Sequence, residues 1–148
     1  LLDGENVNAH LRTEEVSAMA SVSSAVPRVR EKLLDLQRKL ARTMSVVMDG
    51  RDIGTTILPD ADVKIYLTAS SLTRARRRYL EYQEKGEACD LAEIQKTIEE
   101  RDQRDMTREI SPLCQAEDAV LVDSSELTID ETVEKILSVY HSKVSEKE

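Results

Sequence analysis

The hydrophobic pattern of this chain predicts an α/β fold, a parallel sheet flanked by helices, on two observations. Short apolar runs occur at 46–50 (VVMDG), 63–69 (VKIYLTA) and 119–125 (AVLVDSS), and each runs into Asp, Ser or Thr. Helical stretches follow the second and third runs: SLTRARRRYLEYQEKG and Leu91–Arg108 after one, IDETVEKILSVYHSKV after the other. Strands that alternate with helices pair in parallel, because the crossover helix returns the chain to the same end of the sheet. Ligands of such sheets sit beyond the carboxyl ends of the strands, where Asp49, Arg51, Asp52, Ser70 and Ser124 would cluster.

Ahead of the first run the pattern is helical. Asp3-Gly4 is a hairpin-turn signal with only Leu1 and Leu2 to form an incoming strand, so the expectation is a chain that begins inside a domain. A helix is predicted from Thr13, whose hydroxyl can cap it while Glu14 and Glu15 suit the positive end of its dipole. Its body is rich in small residues, which suits close packing or a ligand. Pro27 opens a second helix, with Val29, Leu33, Leu36 and Leu40 at helical spacing. The terminal SEKE reads as a frayed tail.

The 148 residues suffice for one domain with a core, or for part of a larger one. A net charge of −8 repels a phosphate polymer, which argues against nucleic acid as a partner but leaves room for a small anion where arginines concentrate. No apolar run is long enough to span a membrane, and no signal peptide is visible. Cys89 and Cys114 fit no metal-ligand or CxxC spacing; they read as reduced thiols, and the expected location is the cytoplasm. His10 and His141 lie in polar terminal regions and take no role.

The chemistry concentrates in Leu91–Arg108. At about 100° per residue, Leu91, Ile94 and Ile98 share a face that continues into Arg101, Asp105 and Arg108, with Arg104 beside them. Charges that prolong an apolar stripe point inward, where they are tolerated only when paired or bound to something charged. The arginines outnumber the aspartate, and the surplus suits an anionic, hydroxyl-bearing ligand such as a nucleotide. The same spacing fits a helix that leaves the core and ends in a solvated salt-bridge ladder.

The sharpest short motif is DGRD, Asp49 to Asp52. A strand-end Asp beside Gly can present its carboxylate to Mg²⁺ or to a water on it. Arg51 offers a fork of donors to phosphate, and Asp52 can accept from an amino group on a base. A tight turn closed by a local ion pair is the alternative. Arg74, Arg76, Arg77 and Arg78 open a helix, where the dipole disfavours cations. Closure of the segment over a polyphosphate, as a lid, would offset that cost; a solvated face or a nucleic-acid patch are the alternatives. Ser21 with Arg28 and Arg30 of PRVR would bring a hydroxyl and two guanidinium groups together, or serve as packing and surface charge.

Taken in order, RTEEVSxxAS (12–21), PRVRE (27–31), DGRDIGT (49–55), LPDADVKIYLTAS (58–70), RARRRYLE (74–81), ERDQRDMTRE (100–109), SPL (111–113) and AEDAVLVDSS (116–125) resemble the bacterial cytidylate kinases over essentially the whole chain. The resemblance implies a P-loop NTPase fold of the nucleoside monophosphate kinase type, a parallel sheet with flanking helices, its N-terminal portion absent here. It implies that residues 1–43 are part of the CMP-binding insert, and that 44–148 are the C-terminal part of the kinase core with a lid at about 70–88. The implied reaction moves the γ-phosphoryl of ATP, with Mg²⁺, to CMP or dCMP. The complete protein would be a monomer that engages neither nucleic acid nor membrane. By the same resemblance, Ser21, Arg30, Asp52 and Arg108 would surround the cytosine, and Arg101 and Asp105 would hold the ribose. Arg51 would reach the CMP phosphate, Arg77 would move onto the ATP phosphates, and Asp49 would stand near the metal through water.

The chain departs from that pattern in one respect. Such kinases need a GxxxxGK loop ending in Ser or Thr, whose backbone N–H groups and Lys hold the β- and γ-phosphates. None of the four glycines, Gly4, Gly50, Gly54 and Gly86, is followed by Lys. The expectation is a chain that cannot transfer a phosphoryl group alone, with its sheet split between VVMDG and VKIYL. A shortened, non-catalytic nucleotide-binding module and a kinase for UMP are the other readings.

Overall fold

Two of the three predicted strands form in the computed structural model, which describes residues 2–11, 13–24 and 26–145. β1 (Ile65–Thr68) and β2 (Val120–Asp123) pair in parallel, from Ile65 opposite Val120 to Thr68 opposite Asp123. Residues 46–49 form no ladder, which corrects the strand expected there. A strand is held by its neighbour's backbone groups, and these residues have no strand partner among the described residues. A second departure follows at once: Ile53–Ile57 forms a turn of π-helix in which Ile57 N donates to Asp52 O at 3.1 Å.

The chain divides into two units, Leu1–Val47 and Met48–Glu148. In the first, Asp3 (φ 49°) and Gly4 (φ 91°) make the predicted turn, and Leu2 and Glu5 exchange two backbone hydrogen bonds of 2.9 Å. Positive φ at both central positions is what makes Asp-Gly the favoured dipeptide there. α1 (Glu14–Ser24) starts after Thr13, whose Oγ1 accepts from Val16 N at 3.3 Å. α2 (Pro27–Thr43) carries Pro27 in its first turn, where a missing N–H is harmless. Its Val29, Leu33, Leu36 and Leu40 row is exposed.

In the second unit α3 (Ser71–Glu84), α4 (Leu91–Thr107) and α5 (Ile129–Ser145) follow the predicted order. Each start is capped. Ser70 Oγ accepts from Thr73 N at 3.1 Å, and Asp90 accepts from Glu93 N at 2.9 Å. Thr128 and Glu131 cap reciprocally, Thr128 Oγ1 accepting from Glu131 N at 3.2 Å and Glu131 accepting from Thr128 N at 2.8 Å. Those hydrogen bonds from Thr128 hold the Glu131 carboxyl below its ordinary pKa. The root of α3 is tied to the strand ends, Ser70 N donating to Ser125 Oγ at 2.9 Å and Ser124 N to Thr68 O at 2.8 Å.

α3 and α4 pack through Ala75, Ile94 and Ile98, edged by Tyr79, Tyr82, Cys89 and Leu91. Ala75 has no exposed surface, so the two helices approach over a single methyl. Replacing it with Leu overfills the contact, and we expect a loss of about 1–3 kcal/mol. The loss should appear as a lower urea midpoint at unchanged slope; an unmoved midpoint would mean that the helices are not in close contact there.

Candidate functional site

α4 carries its stripe inward. Ile94 and Ile98 are buried against α3, Arg101 is half-buried one turn on, and Asp105 is 8% exposed a turn beyond. Asp105 Oδ2 accepts from Arg51 Nε at 2.8 Å and lies 4.0 Å from Arg101 Nε. The end of α4 therefore meets the DGRD turn, and Asp105 is not the rung of a solvated ladder.

A second pair lies one turn further. Arg108 Nη2 stands 3.6 Å from Asp52 Oδ1, beyond hydrogen-bond range, with Asp52 itself 7% exposed. The loop leaving α4 aims this guanidinium: Arg108 Nε donates to Ser111 O at 2.7 Å, and Leu113 N donates back to Asp105 O at 2.8 Å. Arg108 Nη2 is buried and has no hydrogen-bond partner. A buried donor in that state costs about 1–3 kcal/mol, which an incoming acceptor would recover.

The electrostatics favour an anion. Burial pushes the Arg101 pKa down, and the like charge of Arg51 pushes it further. That repulsion falls if a negative group comes between them. With Asp105 serving both Arg51 and Arg101, the cluster holds more guanidinium than carboxylate charge.

The α3 arginines, one block in the sequence, have separate surroundings. Arg74 grips Asp102 through two N–H groups, at 3.0 and 2.5 Å, and gives its Nε to Ala69 O at 2.9 Å. Arg77 is spread over the start of the β2–α5 turn, its Nη2 donating to Ser124 O at 2.6 Å and to Leu127 O at 3.3 Å. Arg76 is exposed. Arg78 is half-buried, and its charge adds to the depression of the Arg101 pKa. The sequence pattern did not single Arg78 out, although its spacing from Ser71 and Ala75 carries that signal.

Asp49 is exposed at the end of the 46–49 segment. The side chain of Ser21 lies outside the described residues. Arg30 belongs to the Leu1–Val47 unit, where its Nη1 donates to Ser24 O at 3.3 Å. Thus Arg51, Asp52, Arg101, Asp105 and Arg108 come together.

Two parallel strands joined through α3 and α4 define an α/β protein, with guanidinium groups gathered where the DGRD turn meets the end of α4. A family model described as cytidylate kinase matches residues 1–142. A cytidylate kinase of Desulfitobacterium hafniense is 52% identical over 142 residues, 96% of this chain and 61% of that protein. Those of Caldicellulosiruptor saccharolyticus (49% over 144 residues, 97% of this chain, 64% of that protein) and Lactobacillus johnsonii (50% over 142 residues, 96% and 62%) are similar to the same extent. The chain belongs to the cytidylate kinase family, and it spans less than two thirds of the length of these relatives.

Proposed function

We propose that the whole protein is a CMP kinase and that this chain supplies its acceptor site. The γ-phosphoryl group leaves ATP as its bond to the β-phosphate oxygen breaks, and it bonds to a phosphate oxygen of CMP or dCMP, giving ADP and CDP or dCDP. The observation that carries the reading is the joining of Arg51–Asp105–Arg101 and Arg108–Asp52 along one stretch of α4. The relatives named cytidylate kinase support it.

In this reading Arg51 binds the CMP phosphate, Asp105 accepts from the sugar hydroxyls beside Arg101, and Asp52 accepts from the cytosine amino group with Arg108 alongside. Arg77 exchanges its carbonyl partners for the ATP phosphates as α3 closes. No group on the chain needs to form a covalent bond with substrate. Catalysis rests on in-line positioning and on the neutralisation of charge by arginines.

Among the described residues no group of three or more His, Cys, Asp or Glu is arranged to hold a metal. Mg²⁺ commonly arrives on nucleotide phosphates and keeps several waters, and exposed Asp49 fits as a carboxylate that holds one of them. When bound, the ion would neutralise phosphate charge.

The test is an ADP-release assay on the full-length protein with CMP, dCMP, UMP, AMP and GMP. CMP and dCMP should run far ahead of AMP and GMP, and residues 1–148 alone should give no turnover. Equal rates with every acceptor would overturn the reading. CMP binding without turnover in the full-length protein would support a binding module instead.

A further inference from the structure

We infer that Lys64 is a positioning residue for base selection, holding in place the turn that presents Asp52. The inference rests on the acceptor-site reading above and extends it to a side chain outside the site.

Lys64 stands just ahead of β1, where its carbonyl accepts from Val120 N at 3.0 Å and joins the two strands at their start. Its side chain is 8% exposed although it ends in an ammonium. A buried charge is tolerated only where partners meet it, and here they do. Nζ donates to Pro59 O and lies 2.8 Å from each oxygen of Asp118, on the approach to β2. The hydrogen bond from Lys64 holds the Asp118 carboxyl below its ordinary pKa, so it is a carboxylate at neutral pH.

The lysine closes the segment that starts at Asp52. Its stem runs close to Gly54, where an added Cβ would lie 3.3 Å from Lys64 Cδ. Gly54 belongs to the π-helical turn Ile53–Ile57, whose hydrogen bonds begin on Asp52: Asp52 O accepts from Thr56 N at 2.9 Å and from Ile57 N at 3.1 Å. Leu58 N then donates to Ile53 O at 2.7 Å and Ala61 N to Leu58 O at 3.1 Å, which brings the backbone round to Pro59 and the lysine. A lone π-helical turn is rare, and this one is tied through Lys64 to the approach to β2. The Asp52 side chain is aimed from the first residue of that turn, whereas Arg108 opposite is held separately by Ser111 O. A shift of the turn therefore moves the carboxylate relative to the guanidinium, and about 1 Å is enough to cost a positioned group most of its effect.

Lys64→Met keeps the buried stem and removes the ammonium; Lys64→Arg restores a cation that can reach two acceptors. Both are compared with wild type, as full-length proteins, for kcat/KM with CMP and UMP in competition, with the KM for ATP and thermal melts alongside. The CMP-to-UMP ratio should fall about 10-fold in Lys64→Met through a higher KM for CMP, the KM for ATP should hold, and Lys64→Arg should recover most of the loss. In an Asp52→Asn background Lys64→Met should cause no further fall, because the turn then has no carboxylate to place. A lower melting temperature with an unmoved ratio overturns the inference, as does a fall of the same size on top of Asp52→Asn. Should Lys64→Met not fold, Asp118→Ala, changed on the 63% exposed side of the pair, decides by the same ratio: a fall supports the inference and an unmoved ratio overturns it. If wild type itself does not prefer CMP to UMP, the acceptor-site reading fails and the inference goes with it. A failure confined to the Lys64 and Asp118 variants leaves that reading standing.

Discussion

Asp105→Asn in the full-length protein should weaken CMP binding on the order of 100-fold while leaving the binding of inorganic phosphate no weaker than before. The substitution keeps the shape of the side chain, so Arg51 Nε retains an oxygen to donate to at the position that now lies 2.8 Å away. What it removes is charge. Arg51 and Arg101 then repel without compensation, and the sugar hydroxyls lose an acceptor that cannot turn round to become a donor. The surplus positive charge grows, which is why a bare phosphate should not suffer. Loss of a fully buried ion-pair partner costs about 3–5 kcal/mol. Here the Arg51 and Arg101 side chains are 41% and 40% exposed, and water screens part of the loss, so stability should fall by about 1–2 kcal/mol. Calorimetry and thermal melts read the two effects separately. Unchanged CMP affinity would remove Asp105 from the sugar contact.

Asp52→Asn should collapse discrimination between CMP and UMP, lowering the ratio of their kcat/KM values on the order of 100-fold. A carboxylate only accepts, so it favours the amino group of cytosine and opposes the carbonyl that uracil carries at the same position. An amide presents both a donor and an acceptor and can satisfy either base. The discrimination depends on burial, because an exposed carboxylate would let water satisfy the wrong base, and Asp52 is 7% exposed. Arg108, held by Ser111 O, keeps its place in the variant. Competition between CMP and UMP in one assay gives the ratio directly; a ratio that does not move would take Asp52 out of base reading.

Much of the fold was legible because it is local. Thr13 and Pro27 announce helix starts with a side chain and a ring, and Asp3-Gly4 announces a turn that the backbone then makes. The strands at 63–69 and 119–125 were legible from apolar runs, but the same signal at 46–50 misled. Pairing belongs to two segments, and Val46–Asp49 has no strand partner among the described residues. The π-helical turn at Ile53–Ile57 has no sequence mark in the residues that form it. At the site, helix arithmetic placed Arg101, Asp105 and Arg108 on one face, yet which arginine each carboxylate takes depends on how the DGRD turn comes to rest on α4. The four arginines of α3 could not be told apart by composition, because their different partners follow from the rotation of the helix on its neighbours.

The loop after α4 has one further consequence. Through Leu113 N to Asp105 O and Arg108 Nε to Ser111 O, residues 105 to 113 are tied into one piece that carries Asp105 and Arg108, the groups proposed above for the sugar and for one side of the base. A nucleoside gripped there would ride on that piece as cargo on one arm. Sliding the arm would tighten or loosen the grip on every pyrimidine alike, so affinity could drift over evolutionary time without a change in which base is chosen.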